Sequence, residues 1–367
     1  MNFDLSDEQK MLKEQAARLL AARSTPNHLR ALVDGGAEWD EALWRDVAGM
    51  GLLGAVIPEA HGGLGLGETE LCVIAEEIGR VTAAIPFFSS ICLAAKAIRL
   101  AGTPEQQARW LPKLASGEAV GTFAWNEGPG PVSTRRLDAS LSGGRLSGVK
   151  WPVPDAGVAD VCVVVVENAG RPLLALVELD QPGVMRVRLE GFDQVRPHHR
   201  VTFDGAAAEP MAPADVAAVL ERLYDRAATY AAWEQVGGAE ACLEAARAYT
   251  LERRTFGRPV ASYQAVKHNL ANLLVLIELA RSNAYFAAWA LESDPAQAPV
   301  AAATARLSAT RAYEQGAREN LQLHGGIGFT WAADCHFHYR RARLLALALG
   351  GEEVWSDRLI SHLEAAA

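Results

Sequence analysis

The hydrophobic period of this chain switches twice, near residue 120 and again near residue 213, and any fold must accommodate both switches. Between residues 120 and 204, short runs rich in valine and leucine recur at 145–149, 161–167, 172–179, 184–189 and 199–203. Gly, Pro, Asp and Asn separate these runs, and no useful helical period interrupts them. That spacing predicts an all-β domain, a barrel or a sandwich.

Both flanks read as helices. Ser6 with Gln9 fits a capping box opening a helix to about residue 22, with Leu12, Ala16, Leu19 and Leu20 on one face. Further helices are predicted over 39–50 and 68–78. Thr103, Pro104 and Gln106 supply an N-cap, a proline at the first helical position and a glutamine at the third, for a helix ending near 115. Beyond Pro213 the chain is alanine-rich, with helices predicted at 214–254, 262–292, 297–322 and 332–349, and a resumption after Gly350-Gly351 to 363. Val266, Leu270, Leu273, Leu274, Ile277 and Ala280 form a broad apolar face, as in an antiparallel bundle. The fold class is therefore α+β in three segments: a helical domain over 1–118, a β-barrel or sandwich over 119–212, and a four-helix bundle over 213–367. Alanine-rich faces at 297–312 and 332–349 are expected to carry an oligomer contact.

Composition narrows the partners. A net charge of -9 and a pI near 5.6 exclude duplex nucleic acid. Five scattered cysteines, Cys72, Cys92, Cys162, Cys242 and Cys335, with no CxxC pair, predict neither a disulfide framework nor a zinc cluster, and no metal is expected. The opening MNFDLSDEQKMLKEQ has neither a basic nor an apolar region of the signal-peptide kind. The most apolar run, VCVVVV at 161–166, is far short of the roughly 18–20 residues of a membrane span. The expectation is a soluble, cytoplasmic protein without a membrane partner.

Several motifs point to chemistry. In LERRTFGRPVASYQAVKHNLANL, at 251–273, Arg253 and Arg254 end a long helix just before Thr255-Phe256-Gly257. A guanidinium there can pair bidentately with a pyrophosphate, and Phe256 can pack on a ring edge. A helix end with two arginines also fits solvated cations offsetting the helix dipole. His324-Gly325-Gly326-Ile327-Gly328 lets the backbone come close to a phosphate or ribose, because glycine lacks Cβ. It is no Rossmann fingerprint, since no strand precedes it.

These two stretches, with IPEAHGGLGLG at 57–67 and WRDVAGMGLLG at 44–54, resemble the acyl-CoA dehydrogenase family, which uses the same order of helices, β domain and helical bundle. The resemblance spans essentially the whole chain. It implies an FAD-dependent desaturation of an acyl-CoA thioester, in which the α-proton leaves to a base and the β-hydrogen passes to the flavin as hydride. It implies FAD contacts from Arg253, Thr255, Phe256, Gln264, Gln322, Gly325, Gly326 and Gly328, with FAD often shared between subunits. It implies an electron-transfer flavoprotein as electron acceptor, and a homo-oligomer or a heteromer with a sister chain. VPDAGVAD at 153–160 is similar to a bacterial subgroup acting on unusual or branched acyl groups.

The departures from the family are as informative. EGPGPVS at 127–133 replaces the usual EPGAGSD, after Ala124-Trp125-Asn126 where flavin contacts are expected. Trp151 is a candidate flavin neighbour or a plain core or interface residue. Ungapped register puts Pro152 at the family's tryptophan position and Pro154 where a threonine meets the flavin. The two known base positions fall on Gly351 and Ala227, and neither residue can take a proton. Gly351 keeps the backbone N–H that in the family donates to the thioester oxygen. Glu352 and Asp225 are the nearest carboxylate candidates for a displaced base. Three readings follow: a dehydrogenase with a displaced base, a non-catalytic FAD- and CoA-ester-binding subunit beside a sister that carries the base, or a flavin oxidase or monooxygenase on the same fold.

Overall fold

The computed structural model describes residues 4–130, 132–134 and 136–366. In chain order the first helices are α1 (Asp7–Arg23), α2 (Pro26–Asp34), α3 (Glu41–Gly49) and α4 (Glu68–Arg80). A π-helical segment (Phe88–Ala95) runs directly into α5 (Lys96–Ala101), and α6 (Pro104–Ser116) follows. Eight strands come next: β1 (Gly121–Ala124), β2 (Ser140–Ser142), β3 (Arg145–Pro154), β4 (Val161–Asn168), β5 (Arg171–Glu178), β6 (Val184–Arg188), β7 (His198–Ala207) and β8 (Glu209–Pro210). Then come α7 (Val216–Glu252), the short strands β9 (Arg254–Thr255) and β10 (Arg258–Pro259), α8 (Gln264–Ser293), α9 (Ala298–Leu323), α10 (Cys335–Leu347) and α11 (Glu352–Ala366). They form two compact units, one of Met1–Pro26, Glu68–Ala83 and Ala228–Ala367, the other of Asn27–Gly67 and Ala84–Ala227; the division falls inside α7.

The first unit is helical. Its opening helix is set by the capping box read from sequence: Gln9 N donates to Ser6 Oγ at 3.2 Å, and Ser6 N donates to Gln9 Oε1 at 2.9 Å. Helix α4 crosses α7 with backbone against backbone, and buried charges lock the crossing. The Glu76 carboxylate, fully buried, meets Lys13 at 2.7 Å and also Arg281, while Glu240 meets Arg80 at 2.6 Å and Arg281 at 2.8 Å. A buried carboxylate of this kind persists only with cationic partners, so the network fixes which faces of α1, α4, α7 and α8 meet.

The alanines of α9 correct one expectation. Ala301, Ala302, Ala303, Ala305, Ala309 and Ala312 are buried within the chain, so this face is spent on the chain's own core. Small side chains let helices approach closely, and here the partners are intramolecular. Exposed apolar residues stand on α8, at Leu274, Val275 and Leu279, and on α10 at Leu347.

The second unit is built on one mixed eight-stranded sheet in the order β6-β7-β3-β2-β4-β5-β8, with β1 pairing β4 in parallel, Gly121 opposite Val161. Val161 to Val166 are all fully buried, as a strand covered on both faces demands. The π-helical segment is wholly buried and apolar apart from Ser89 and Ser90. It holds β1 in place, because Gly121 N donates to Ser90 Oγ at 2.9 Å. Helix α6 begins as predicted, with Gln106 N donating to Thr103 Oγ1 and Thr103 N to Gln106 Oε1.

Candidate functional site

The expected cofactor residues of the first unit gather around the end of α7. Beyond Glu252 the chain turns at once into a hairpin, Arg258 opposite Thr255, with Phe256 and Gly257 as its two-residue loop. Both loop residues have positive φ, 49° and 80°, the pattern of a type I′ turn. Asparagine or glycine is the usual first loop residue, so a phenylalanine there carries backbone strain of about 1–3 kcal/mol. Phe256 is moreover 98% exposed. Strain combined with complete exposure of an aromatic ring is not a folding solution, and it points to a ligand or another chain that the ring meets. Arg253 and Arg254 are both exposed, with no side-chain ion pair or hydrogen bond among the described residues. Gln264 opens α8 and is also exposed.

The glycine turn follows α9 as a short 3-10 segment, Gly325–Phe329. Gly325, at φ 64°, and Gly326 have nothing within 4 Å of where a Cβ would stand, so their backbone is open to a ligand. Gly328 differs. A Cβ there would lie 2.5 Å from Leu321 O, so this glycine is needed to fold the turn back onto α9. Gln322, in the last turn of α9, is exposed. The two segments meet through Tyr249 and His324, whose rings stack with centroids 4.1 Å apart. Unpaired guanidinium groups, open glycine backbone and a bare aromatic ring form one set suited to a ligand with phosphates and an aromatic system. FAD fits these residues.

The loop carrying Gly351 is pinned from two sides. The buried Arg306 donates to Ala348 O at 2.7 Å and also to Leu345 O, capping the end of α10. Trp355 Nε1 donates to Leu349 O at 3.0 Å. Leu349 and Gly350 are consecutive left-handed residues, at φ 61° and 89°. Gly351 therefore sits on a fixed backbone immediately before α11, with open space where its side chain would be. Glu352 and Glu353 are exposed in the first turn of α11.

In the second unit, the residues after β1 are held by a buried lysine. Lys150 Nζ donates to Glu127 Oε1 at 2.7 Å and to Trp125 O at 3.1 Å. Burial alone works against the Glu127 charge, but the N–H groups of Asp138 and Ala139 and the Lys150 ammonium outweigh it, keeping the carboxyl below its usual range. Burial pulls Lys150 below the usual lysine value, with Glu127 acting against it. Trp125 Nε1 and Asn126 Oδ1 are buried without a hydrogen-bond partner in the structure. Such orphans ask for a ligand group. Trp151 donates its N–H to Asn126 O at 2.9 Å, and Arg200 lies over its ring at 4.9 Å. The Pro154 carbonyl accepts from Thr122 Oγ1 at 2.5 Å. Of the stretch 127–133, Pro131 lies outside the described residues. Ala227 is fully buried, and Asp225 is 3% exposed. Two helical residues separate their side chains by about 200° around the axis, so they face nearly opposite sides of α7.

Three residues were missed in the sequence: Tyr249, Lys150 and Arg306. Tyr249 had a usable signal, since it lies one helical turn before Arg253. The other two act through contacts 23 to 42 residues distant in the chain, which no local pattern reports.

Among the described residues no helix is long and apolar enough to cross a membrane. The acyl-CoA dehydrogenase N-terminal domain matches residues 6–118, and the acyl-CoA dehydrogenase C-terminal domain matches residues 217–363. The chain is 33% identical over 341 residues to acyl-CoA dehydrogenase IpdE2 of Mycobacterium tuberculosis, covering 92% of this chain and 91% of that one. Among solved structures it superposes on a Tcur3481-Tcur3483 steroid ACAD variant with a TM-score of 0.90 at 33% identity, over 98% of this chain and 99% of the other. It superposes equally, at 0.90 and 28% identity over 99% of each chain, on the ChsE4-ChsE5 complex from Mycobacterium tuberculosis. Domain matches over most of the chain and a relative a third identical over nearly the whole of both chains show that this chain belongs to the acyl-CoA dehydrogenase family, FAD-dependent oxidoreductases acting on CH–CH bonds.

Proposed function

We propose that this chain is one subunit of a heteromeric acyl-CoA dehydrogenase, contributing FAD contacts and fold while a sister chain supplies the catalytic base. The observation that carries the reading is the pair Gly351 and Ala227, which leaves both of the family's base positions without a carboxylate. The alternatives are poorly placed to replace them. Glu352 is exposed at the start of α11, and Asp225 faces away from the side of α7 that Ala227 occupies. Similarity to the Tcur3481-Tcur3483 and ChsE4-ChsE5 assemblies supports a two-chain enzyme.

In this reading Arg253 and Arg254 pair with the FAD pyrophosphate, Phe256 and Thr255 pack beside it, and the open backbone at Gly325 and Gly326 admits the dinucleotide, with Gln264 and Gln322 as further contacts. FAD, when bound, supplies the electron acceptor that the side chains lack. The pinned Gly351 N–H is offered to the thioester oxygen, which polarises the α-carbon without itself removing a proton. An acyl-CoA is the substrate, with steroid-derived acyl groups the first to try, and an electron-transfer flavoprotein is the acceptor in the cytoplasm.

The test is purification alone and with a co-encoded homologue that has Glu or Asp at the position of Gly351. FAD content and anaerobic bleaching across an acyl-CoA panel are then measured. Bleaching only in the two-chain preparation is expected. Full bleaching by the chain alone would overturn the reading in favour of a displaced base, and oxygen consumption by the reduced flavin would favour the oxidase.

A further inference from the structure

We infer that Tyr249 and His324 are positioning residues for the dinucleotide: their stacked rings set the separation between the arginine-bearing end of α7 and the glycine turn, so that both segments reach one FAD. The inference rests on the reading of this chain as an FAD-binding subunit. It concerns two residues that carry no expected contact of their own.

The geometry is specific. The ring centroids are 4.1 Å apart and the planes differ by 24°. Tyr249 lies directly behind the first segment, because Arg253 N donates to Tyr249 O at 2.8 Å across one helical turn. His324 lies directly before the second, adjacent to Gly325. The imidazole is fixed from behind. Its Nδ1 lies 2.8 Å from Asn320 O, and a carbonyl can only accept, so Nδ1 carries the proton and the ring orientation is set. On the other side, Gly328 folds the turn back so closely that a Cβ there would come within 3.0 Å of His324 Cβ.

The stack matters because it is the link nearest the exposed ends of the two segments, beyond the packing of α7 on α9 at Gly238 and Gly316. Among the described residues no hydrogen bond or ion pair joins residues 249–263 to residues 320–330. Thr250 and Asn320 anchor the two helices by burial, but Arg253, Arg254, Gly325 and Gly326 are all exposed, so the ends that would meet the ligand are not positioned by burial. A ligand that spans two loosely related segments loses affinity to the cost of ordering them, and a rigid aromatic link removes part of that cost beforehand.

The experiment is an FAD titration, followed by flavin fluorescence, on the deflavinated protein in whichever assembly it is purified. The variants are Tyr249→Ala, Tyr249→Phe, His324→Ala and the double alanine variant, with the melting temperature recorded for each. Tyr249→Ala should weaken FAD binding about three- to tenfold, the scale of a lost aromatic pair. Tyr249→Phe, which keeps the stack, should bind as the parent does. The double variant should be no weaker than the weaker single one, since the two rings act as a pair. Unchanged affinity in Tyr249→Ala would overturn the inference, and so would an equal loss in Tyr249→Phe or losses that multiply in the double variant. Failure of the parent to bind FAD in any assembly would overturn the underlying reading as well, which distinguishes the two.

Discussion

The carbonyl oxygen of Glu76 occupies the space where a side chain at Gly237 would begin: a Cβ there would stand 1.9 Å from it. The relationship is reciprocal, since a Cβ at Gly79 would stand 2.0 Å from Glu234 O. Two helices in the first unit therefore touch backbone to backbone, each with a glycine beneath the other's carbonyl. The ion pair of Arg80 with Glu240 joins the two helices directly, and Arg281 of α8 bridges Glu76 and Glu240.

Gly237→Ala should therefore destabilise the protein, although alanine is the better helix former. Propensity favours the change by about 1 kcal/mol. The clash is with backbone, which no rotamer change relieves, and overpacking of this kind costs about 3 kcal/mol. The net loss should lower the apparent melting temperature by several degrees. An equal or higher melting temperature would show that α4 and α7 can separate freely.

Arg253→Ala should lower FAD retention without unfolding the chain. The guanidinium is exposed and makes no internal bond, so its removal leaves no orphaned group in the fold. A charge-assisted hydrogen bond to a phosphate contributes roughly ten- to a hundred-fold in affinity. The ratio of flavin to protein absorbance after dialysis measures it, and full occupancy would remove Arg253 from the site.

The features that were legible in the sequence are the local ones. Capping boxes at Ser6 and Thr103 need only residues three apart, and both stand as read. The long α7, α8 and α9 were visible because their apolar period runs for many turns. The hairpin at 254–259 was not, because its strands are two residues each and Phe256 contradicts the turn chemistry that would announce it. The π-helical segment at 88–95 is wholly buried, and a mostly apolar run reports burial but not helix type. The same limit applies to the site. The Arg253 motif and the glycine turn of the proposed site are local and can be read from residue type and spacing, whereas the Tyr249 stack and the Lys150 pair exist only once distant segments are brought together.

Lys150 and Glu127 give a pH prediction. Glu127 is held below its ordinary 4.5 in the folded chain, so its contribution to stability is present above that value and is lost as pH falls through the lower folded value. Glu127→Gln removes that contribution. The variant should be less stable than the parent at about pH 7, and the gap should narrow as the pH is taken toward about 3.5. Melting curves across that range check it. A gap that stays constant would mean that the carboxylate's charge contributes nothing to the fold.

Glu352 provides the sharpest test of where the base resides. It stands next to Gly351 in sequence, and a small shift of the backbone is all that a displaced-base mechanism would need. The structure gives that shift little freedom, because Arg306 and Trp355 hold the carbonyls of Ala348 and Leu349. Glu352→Gln should therefore leave anaerobic bleaching of the assembled enzyme unchanged. The only expected effect is a small loss of helix stability, about 0.3–1 kcal/mol, from removing an acidic residue at the start of α11. Loss of a true general base would instead lower the rate by about 10²–10⁴-fold with FAD content intact. Asp225→Asn, assayed per mole of bound flavin because the residue is buried, should likewise keep its rate. A hundred-fold fall in either variant would place the base on this chain and sink the two-chain mechanism.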